Sequence, residues 1–135
     1  MIYLDSSALL KLLVEEKESS ALASWLSKRP NTPKISSELA KLEVVRAARR
    51  LSAAVVPAAR ALVSQLDLIP LSSGLINEAA DAGGPMLRSL DAIHLVSALS
   101  ISAELSAFIA YDHRLVTAAR AAKLHVRRPG AATGR

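Results

Sequence analysis

The chain has 135 residues, a formal net charge of +5 and no cysteine. This length predicts one domain whose core is large enough to be stable without cross-links. The lack of cysteine excludes disulfides, thiolate-bound zinc, iron–sulfur clusters and cysteine nucleophiles. Aromatic residues make up only 3% of the chain, which disfavours a base-stacking platform. No apolar run approaches the ~20 residues of a membrane span, and the start lacks the basic region of a secretory signal, so we expect a cytoplasmic protein without membrane association.

The positive charge is unevenly distributed. Residues 1–106 are neutral overall, whereas residues 107–135 carry six basic residues and one acid. A second basic cluster surrounds Glu43 and consists of Lys41, Arg46, Arg49 and Arg50. Such clusters favour polyanions such as RNA through counterion release, although a solvated surface with a basic tail explains the same pattern.

Apolar runs and turn residues predict alternating strands and helices along the chain. The predicted strands are 2–4, 34–36, 68–71, 107–111 and 124–126. Predicted helices begin at Ser6 or Ser7, around Leu22, Trp25 and Leu26, at Ser37, near Pro57, at Ser72 or Ser73, at Leu90 and at Arg114. The inward positions are predicted to be Leu39, Leu42, Val45 and Ala48 on the Ser37 helix, and Ile93, Val96 and Leu99 on the Leu90 helix.

Short apolar strands that alternate with helices predict an α/β fold, with a parallel sheet of about five strands covered on both faces. We assign residues 1–128 to this domain and residues 129–135 to a flexible basic tail, because the tail has no apolar residue larger than alanine. In such sheets, ligands bind beyond the carboxyl ends of the strands.

Four acids from distant segments can meet at that edge. Asp5 and Asp112 follow predicted strands, Asp91 opens a helix, and Glu43 lies on a helix that follows a strand. Clustered carboxylates repel one another without a metal, but with Mg²⁺ or Mn²⁺ they form a site that can activate water against a phosphoryl group. Simpler roles are open for each residue: helix caps for Asp5, Asp91 and Asp112, and an ion pair with Arg46 for Glu43.

Four segments, in this order, resemble the PIN-domain nucleases and, within them, the VapC-type toxins of toxin–antitoxin modules. They are residues 1–9 (MIYLDSSAL), 36–46 (which hold Glu43 and Arg46), 87–95 (LRSLDAIHL) and 109–115 (IAYDHRL). The match extends over residues 1 to about 126. Ser6 stands where threonine is common in the family, and His113 lies at a variable position.

The resemblance implies an endoribonuclease toxin that hydrolyses RNA phosphodiester bonds with a metal-activated water. Its catalytic and metal-binding acids would be Asp5, Glu43, Asp91 and Asp112, holding Mg²⁺ or, in its place, Mn²⁺. Ser7 would support the site, and Arg46 would orient Glu43 or contact a phosphate. The resemblance also implies a small VapB-type antitoxin as partner and a homodimer.

Several alternatives stay open at this level. His94, three residues after Asp91, can reach the site or can simply be a packed residue, and His113 has the same two interpretations. The apolar face of Trp25 is explained by core packing or by an antitoxin groove. A phospho-receiver domain fits poorly, because Asp5 has no acidic neighbour and the late strand ends in Asp112 instead of lysine. An RNA-processing PIN nuclease and a non-catalytic RNA-binding domain are the remaining rivals.

Overall fold

The structure, a computed structural model, describes residues 1–132. Strands and helices alternate over this range. The strands are β1 (Ile2–Leu4), β2 (Lys34–Ser37), β3 (Asp67–Ile69), β4 (Ala107–Ile109) and β5 (Val126–Arg127). The α-helices are α1 (Ser6–Leu13), α2 (Ser19–Ser27), α3 (Glu38–Leu51), α4 (Val56–Ser64), α5 (Ser73–Asp81), α6 (Ser89–Leu99) and α7 (His113–Ala121). Across residues 1–132, no helix is both long and apolar enough to cross a membrane.

The strands form one parallel sheet in the order β3-β2-β1-β4-β5. The predicted α/β fold with a five-stranded parallel sheet is therefore confirmed. Strand β1 lies at the centre, pairs with β2 on one side and β4 on the other, and is buried at every residue. The chain runs outward from β1 in both directions, so the strand order reverses there, and such a reversal point is where α/β sheets bind ligands.

The sheet separates two apolar cores, because successive side chains of a strand point to opposite faces. Ile2 and Leu4 belong to the core that includes residues of α1 to α4, whereas Tyr3 belongs to the core beneath α6 and α7. In the first core, Leu22 and Leu26 of α2 are buried and Trp25 packs against their cluster. The core-packing interpretation of this helix face is therefore confirmed.

The buried arcs of two helices differ from the prediction. On α3, Leu42 is 58% exposed, and the predicted inward position is wrong. The helix packs through Ala40, Val44 and Ala48, which are spaced four residues apart, and Leu42 projects from the opposite side. On α6, Ile93 and Leu99 are only partly buried. That helix contacts α5, α7 and β2, which together bury a wider arc that includes His94 and Ala98.

Strands β3 and β4 each end two residues earlier than predicted, and β5 begins two residues later. The packed chain continues beyond residue 128. The Tyr111 hydroxyl donates to the carbonyl of Pro129 (2.7 Å), and Gly130, at φ +84°, lies so close to Ala21 that a Cβ would come within 2.7 Å of it. The first part of the predicted tail is thus anchored on the domain, and its last residues, 133–135, lie outside the described range.

Candidate active site

The four predicted acids occupy the carboxyl edge of the sheet near β1. Asp5 directly follows β1, Asp112 follows β4, Glu43 lies on α3 just after β2, and Asp91 lies in the first turn of α6. Their charges act on shared neighbours: Asp91 influences Asp5, while Asp91, Asp112 and Glu43 all influence Arg88. The structure therefore gathers four chain-distant carboxyl groups into one neighbourhood.

Asp5 is the most buried of these acids, with 3% of its surface exposed. Its Oδ1 accepts hydrogen bonds from Ser7 Oγ (2.7 Å) and from the backbone N–H of Ala8 (2.9 Å), so Asp5 also caps α1. Burial raises its pKa from 3.8 to about 6, despite the opposing influence of His94 and of both hydrogen bonds. Ser7 Oγ in turn accepts from the N–H of Tyr111 (3.0 Å), which ties the β4–α7 loop to Asp5.

Glu43 is held by partners other than the predicted one. Ser6 Oγ donates to Glu43 Oε1, and His94 Nε2 lies 2.8 Å from the same oxygen. Arg46 is exposed, and within residues 1–132 it forms no ion pair with Glu43. A site role for His94 was one of its two open interpretations in the sequence, whereas the role of Ser6 was missed. The available signals were the Ser6-Ser7 hydroxyl pair after β1 and the three-residue spacing of His94 from Asp91.

His94 is itself 1% exposed and connects the site to the core. The hydroxyl of Tyr3 lies 2.7 Å from His94 Nδ1, and the Tyr3 ring stacks on Phe108 with a 5.3 Å centroid separation. Burial raises the pKa of Tyr3 far above its ordinary value of 10, so this hydroxyl keeps its proton. His113, by contrast, lies exposed at the start of α7.

Arg88 bridges the other two acids. Its Nε donates to Asp91 Oδ2 and one terminal nitrogen donates to Asp112 Oδ2, both at 3.0 Å. The hydrogen bond to Asp91 raises the already high pKa of Arg88. Arg88 occupies the N-cap position of α6, so the interpretation of Asp91 as that cap is wrong. Asp112 does cap its helix, because its Oδ1 accepts from the N–H of Leu115 (3.0 Å).

The acid cluster offers oxygen donors to a divalent cation. Within the described part of the chain, no three acidic or histidine side chains form a ready-made metal cluster. The donors are nevertheless carboxylate oxygens, which Mg²⁺ and Mn²⁺ prefer, and a cationic guanidinium already lies between two of them. The residues therefore fit a hard cation when the 61%-exposed Arg88 side chain turns away.

A basic groove lies along the helix that carries Glu43. Its cationic lining consists of Lys41, Arg46 and Arg49 from α3 and Arg60 from α4. Glu38, exposed Leu42 and Val45 complete the lining, so the groove combines positive charge with an apolar surface. This places the predicted basic cluster on the helix that also supplies a site acid.

Comparisons with known proteins agree with this architecture. Residues 2–123 match the PIN domain family. The chain is 43% identical over 134 residues to a Mycobacterium tuberculosis protein named Ribonuclease VapC35, covering 98% of this chain and 99% of that protein. It is 40% identical over 134 residues to Ribonuclease VapC47 of the same species, covering 97% of this chain and 98% of that protein.

Solved structures show the same fold at low sequence identity. Mycobacterium tuberculosis VapC20, described as a sarcin-ricin loop cleaving toxin, aligns with a TM-score of 0.76 at 17% identity over 96% of this chain and 100% of that one. FitAB bound to an IR36 DNA fragment aligns with a TM-score of 0.71 at 13% identity over 99% of both chains. VapBC2 from Rickettsia felis, bound to a DNA fragment from its promoter, aligns with a TM-score of 0.68 at 13% identity over 96% of this chain and 99% of that one.

Proposed function

Because the chain belongs to the PIN-domain family, and within it to the VapC proteins, we propose that it is a metal-dependent endoribonuclease that hydrolyses RNA phosphodiester bonds. The observation that carries this proposal is the convergence of Asp5, Glu43, Asp91 and Asp112 at the strand-order reversal around β1. The ribonuclease names of relatives that match nearly the whole chain support the same activity.

The four acids would hold Mg²⁺, or Mn²⁺ in its place. When bound, this ion supplies a water of lowered pKa and neutralises charge that develops on the phosphoryl oxygens. Ser7 and the Ala8 N–H fix the carboxyl of Asp5, and Ser6 with His94 fixes that of Glu43. Arg88 neutralises Asp91 and Asp112 in the metal-free protein, which lowers the repulsion inside the cluster.

The RNA backbone would follow the basic groove on α3. Lys41, Arg46 and Arg49 line this groove on the same helix that holds Glu43, so one helix contributes both phosphate contacts and a site acid. Lys and Arg contacts of this kind supply sequence-independent affinity through counterion release. Arg46 thus serves as a phosphate contact in this proposal.

We further propose that the protein acts as a cytoplasmic toxin, restrained by a small VapB-type antitoxin, and that it forms a homodimer. The similarity to VapBC2 and FitAB supports such a partner. Exposed Leu42 within the basic groove offers an acidic, partly apolar peptide both charge complementarity and an apolar contact.

The nuclease activity is tested with purified protein and total cellular RNA, in Mg²⁺, in Mn²⁺ and in EDTA. We expect cleavage at a few sites by the wild type, and a rate at least about 100-fold lower for Asp5→Asn and Asp91→Asn, because asparagine keeps the size but lacks the charge that holds a cation. Asp67→Asn, an exposed acid at the start of β3, is the matched control. Sequencing of the new 5′ ends identifies the substrate.

Three results would contradict the proposal or redirect it. Cleavage that persists in EDTA, or in both variants, would exclude a metal site built from these acids. RNA binding without cleavage would indicate a non-catalytic RNA-binding domain. Cleavage in vitro without growth arrest when the wild type is expressed would favour an RNA-processing nuclease over a toxin.

A further inference from the structure

A buried column of hydrogen-bonded side chains runs from the centre of the sheet to the active site. Tyr3 of β1 contacts His94 of α6, and His94 contacts Glu43 of α3. Ser6 at the start of α1 contacts both His94 and Glu43. We propose that Tyr3, His94 and Ser6 form a positioning relay that fixes the carboxyl group of Glu43 for cation binding. This inference rests on the proposed function.

The direction of the hydrogen bonds follows from the groups at both ends. An ionised carboxylate can only accept, so the proton between His94 and Glu43 belongs to Nε2. At the other end, a phenol carries its proton at neutral pH, and the Tyr3 hydroxyl donates its hydrogen bond to Nδ1. Tyr3 therefore selects the His94 tautomer that presents an N–H to Glu43. A histidine whose far nitrogen is fixed in this way commonly orients an active-site ligand.

The relay determines which carboxylate oxygen remains available. Ser6 Oγ and His94 Nε2 both bind Oε1 of Glu43, and the hydrogen bonds of the described residues leave Oε2 open. Two donors on one oxygen restrict the rotation of an otherwise flexible glutamate and orient Oε2 for a ligand. The column includes residues from β1, α1, α3 and α6, so four elements jointly position the Glu43 side chain. Substituting a residue that is hydrogen-bonded to a metal ligand typically lowers metal affinity or activity by about 10–100-fold.

Two substitutions of His94 separate positioning from simple packing. The amide nitrogen of glutamine reaches the place of Nε2 and can still donate to Glu43, whereas asparagine reaches only the place of Nδ1 and cannot. We expect His94→Asn to weaken Mn²⁺ binding about tenfold and His94→Gln to retain most of the affinity. Tyr3→Phe should also weaken Mn²⁺ binding, but by less than His94→Asn does. Ser64→Ala, which removes an exposed hydroxyl bonded to the Ala61 carbonyl, should bind Mn²⁺ like the wild type.

The measurements are Mn²⁺ titration by calorimetry and imidazole ¹⁵N NMR of the metal-free protein, with circular dichroism to confirm folding. The chain has three histidines, so the spectrum is simple to assign. We expect the Nε2–H tautomer for His94 in the wild type and a tautomer mixture in Tyr3→Phe. An Nδ1–H tautomer in the wild type, or equal Mn²⁺ affinity for His94→Asn and His94→Gln, would overturn the relay.

Failure of the relay is distinguishable from failure of the proposed function. If the wild type binds Mn²⁺ and cleaves RNA while the variants match it, only the relay is wrong. If the wild type neither binds Mn²⁺ nor cleaves RNA, the nuclease proposal fails, and the tautomer spectrum still tests the hydrogen-bond direction. Because that spectrum uses wild-type protein, it tests the direction of the relay's hydrogen bonds even when a His94 variant does not fold.

Discussion

At the scale of single residues, Asp5 shows the conflict between stability and function most clearly. Its carboxyl group is removed from water, and its two hydrogen bonds and the neighbouring His94 offset only part of that cost. The folded pKa of about 6 lies above the ordinary value of 3.8, so the negative charge opposes folding. A bound cation would reverse this penalty, which explains why an acid is useful at this buried position.

The pKa of Asp5 predicts how stability depends on pH. Between pH 3.8 and about 6 the folded protein binds a proton that the unfolded chain has released, so the free energy of unfolding falls as pH rises through this window. At neutral pH, Asp5→Asn should therefore be more stable than the wild type in EDTA, by roughly 3 kcal/mol at most. Below the window the difference should vanish. Denaturant unfolding at about pH 3 and about pH 7 measures it.

A wild type that is equally or more stable than Asp5→Asn at neutral pH would show that desolvation does not dominate at Asp5. Both proteins share every other titratable group, so the difference between them isolates this carboxyl group. The low-pH pair is the internal control for effects of the substitution other than charge.

Arg88 is the second residue with a measurable consequence. Its guanidinium bonds to Asp91 and Asp112, so a cation that binds these acids must first displace it. We expect Arg88→Ala to bind Mn²⁺ several-fold more tightly than the wild type in calorimetry. Arg120→Ala, which removes an exposed arginine from the last turn of α7, should leave the affinity unchanged. Unchanged or weaker binding by Arg88→Ala would show that the guanidinium does not compete with the cation.

At the scale of elements, strand ends and helix starts coincide with the site. Asp5 and Asp112 each follow a strand, cap the next helix and face the acid cluster, and Ser37 caps α3 in the same way. A short polar residue at this junction satisfies free helix N–H groups and lies at the ligand-binding edge. Capping and catalytic interpretations of Asp5 and Asp112 are therefore compatible.

Helix α3 supports a prediction about RNA affinity. Arg46 and Arg49 line the basic groove, so the double variant Arg46→Glu with Arg49→Glu should weaken RNA binding about tenfold. The slope of log affinity against log salt concentration should fall by the contribution of about two phosphate contacts. Lys17→Glu changes charge at an exposed turn between α1 and α2 and is the control for charge reversal. Filter binding with Asp5→Asn as the common background measures affinity without cleavage. Equal weakening by Lys17→Glu would assign the effect to overall charge.

At the scale of the whole molecule, the central position of β1 organises both cores and the site. The strand contributes Ile2 and Leu4 to one core and Tyr3 to the other, and Asp5 follows at its carboxyl end. Pairing with β2 and β4 brings α3 and the β4–α7 loop to that same end. As a result, Glu43 and Asp112, which are far apart in the chain, lie in one neighbourhood.

The amino-acid sequence by itself determined the alternation of strands and helices, because apolar runs and caps are local patterns. It also indicated the four acids that the fold brings into one neighbourhood: Asp5 and Asp112 after strands, Asp91 in the first turn of a helix, and Glu43 on a helix that follows a strand. Only the tertiary structure decided which partners hold them: Ser6 and His94 for Glu43 in place of Arg46, and Arg88 for Asp91 and Asp112. Local spacing shows that Ala40, Val44 and Ala48 share one face of α3 and that Leu42 lies on another, but the packing of helices on the sheet selects the face that is buried.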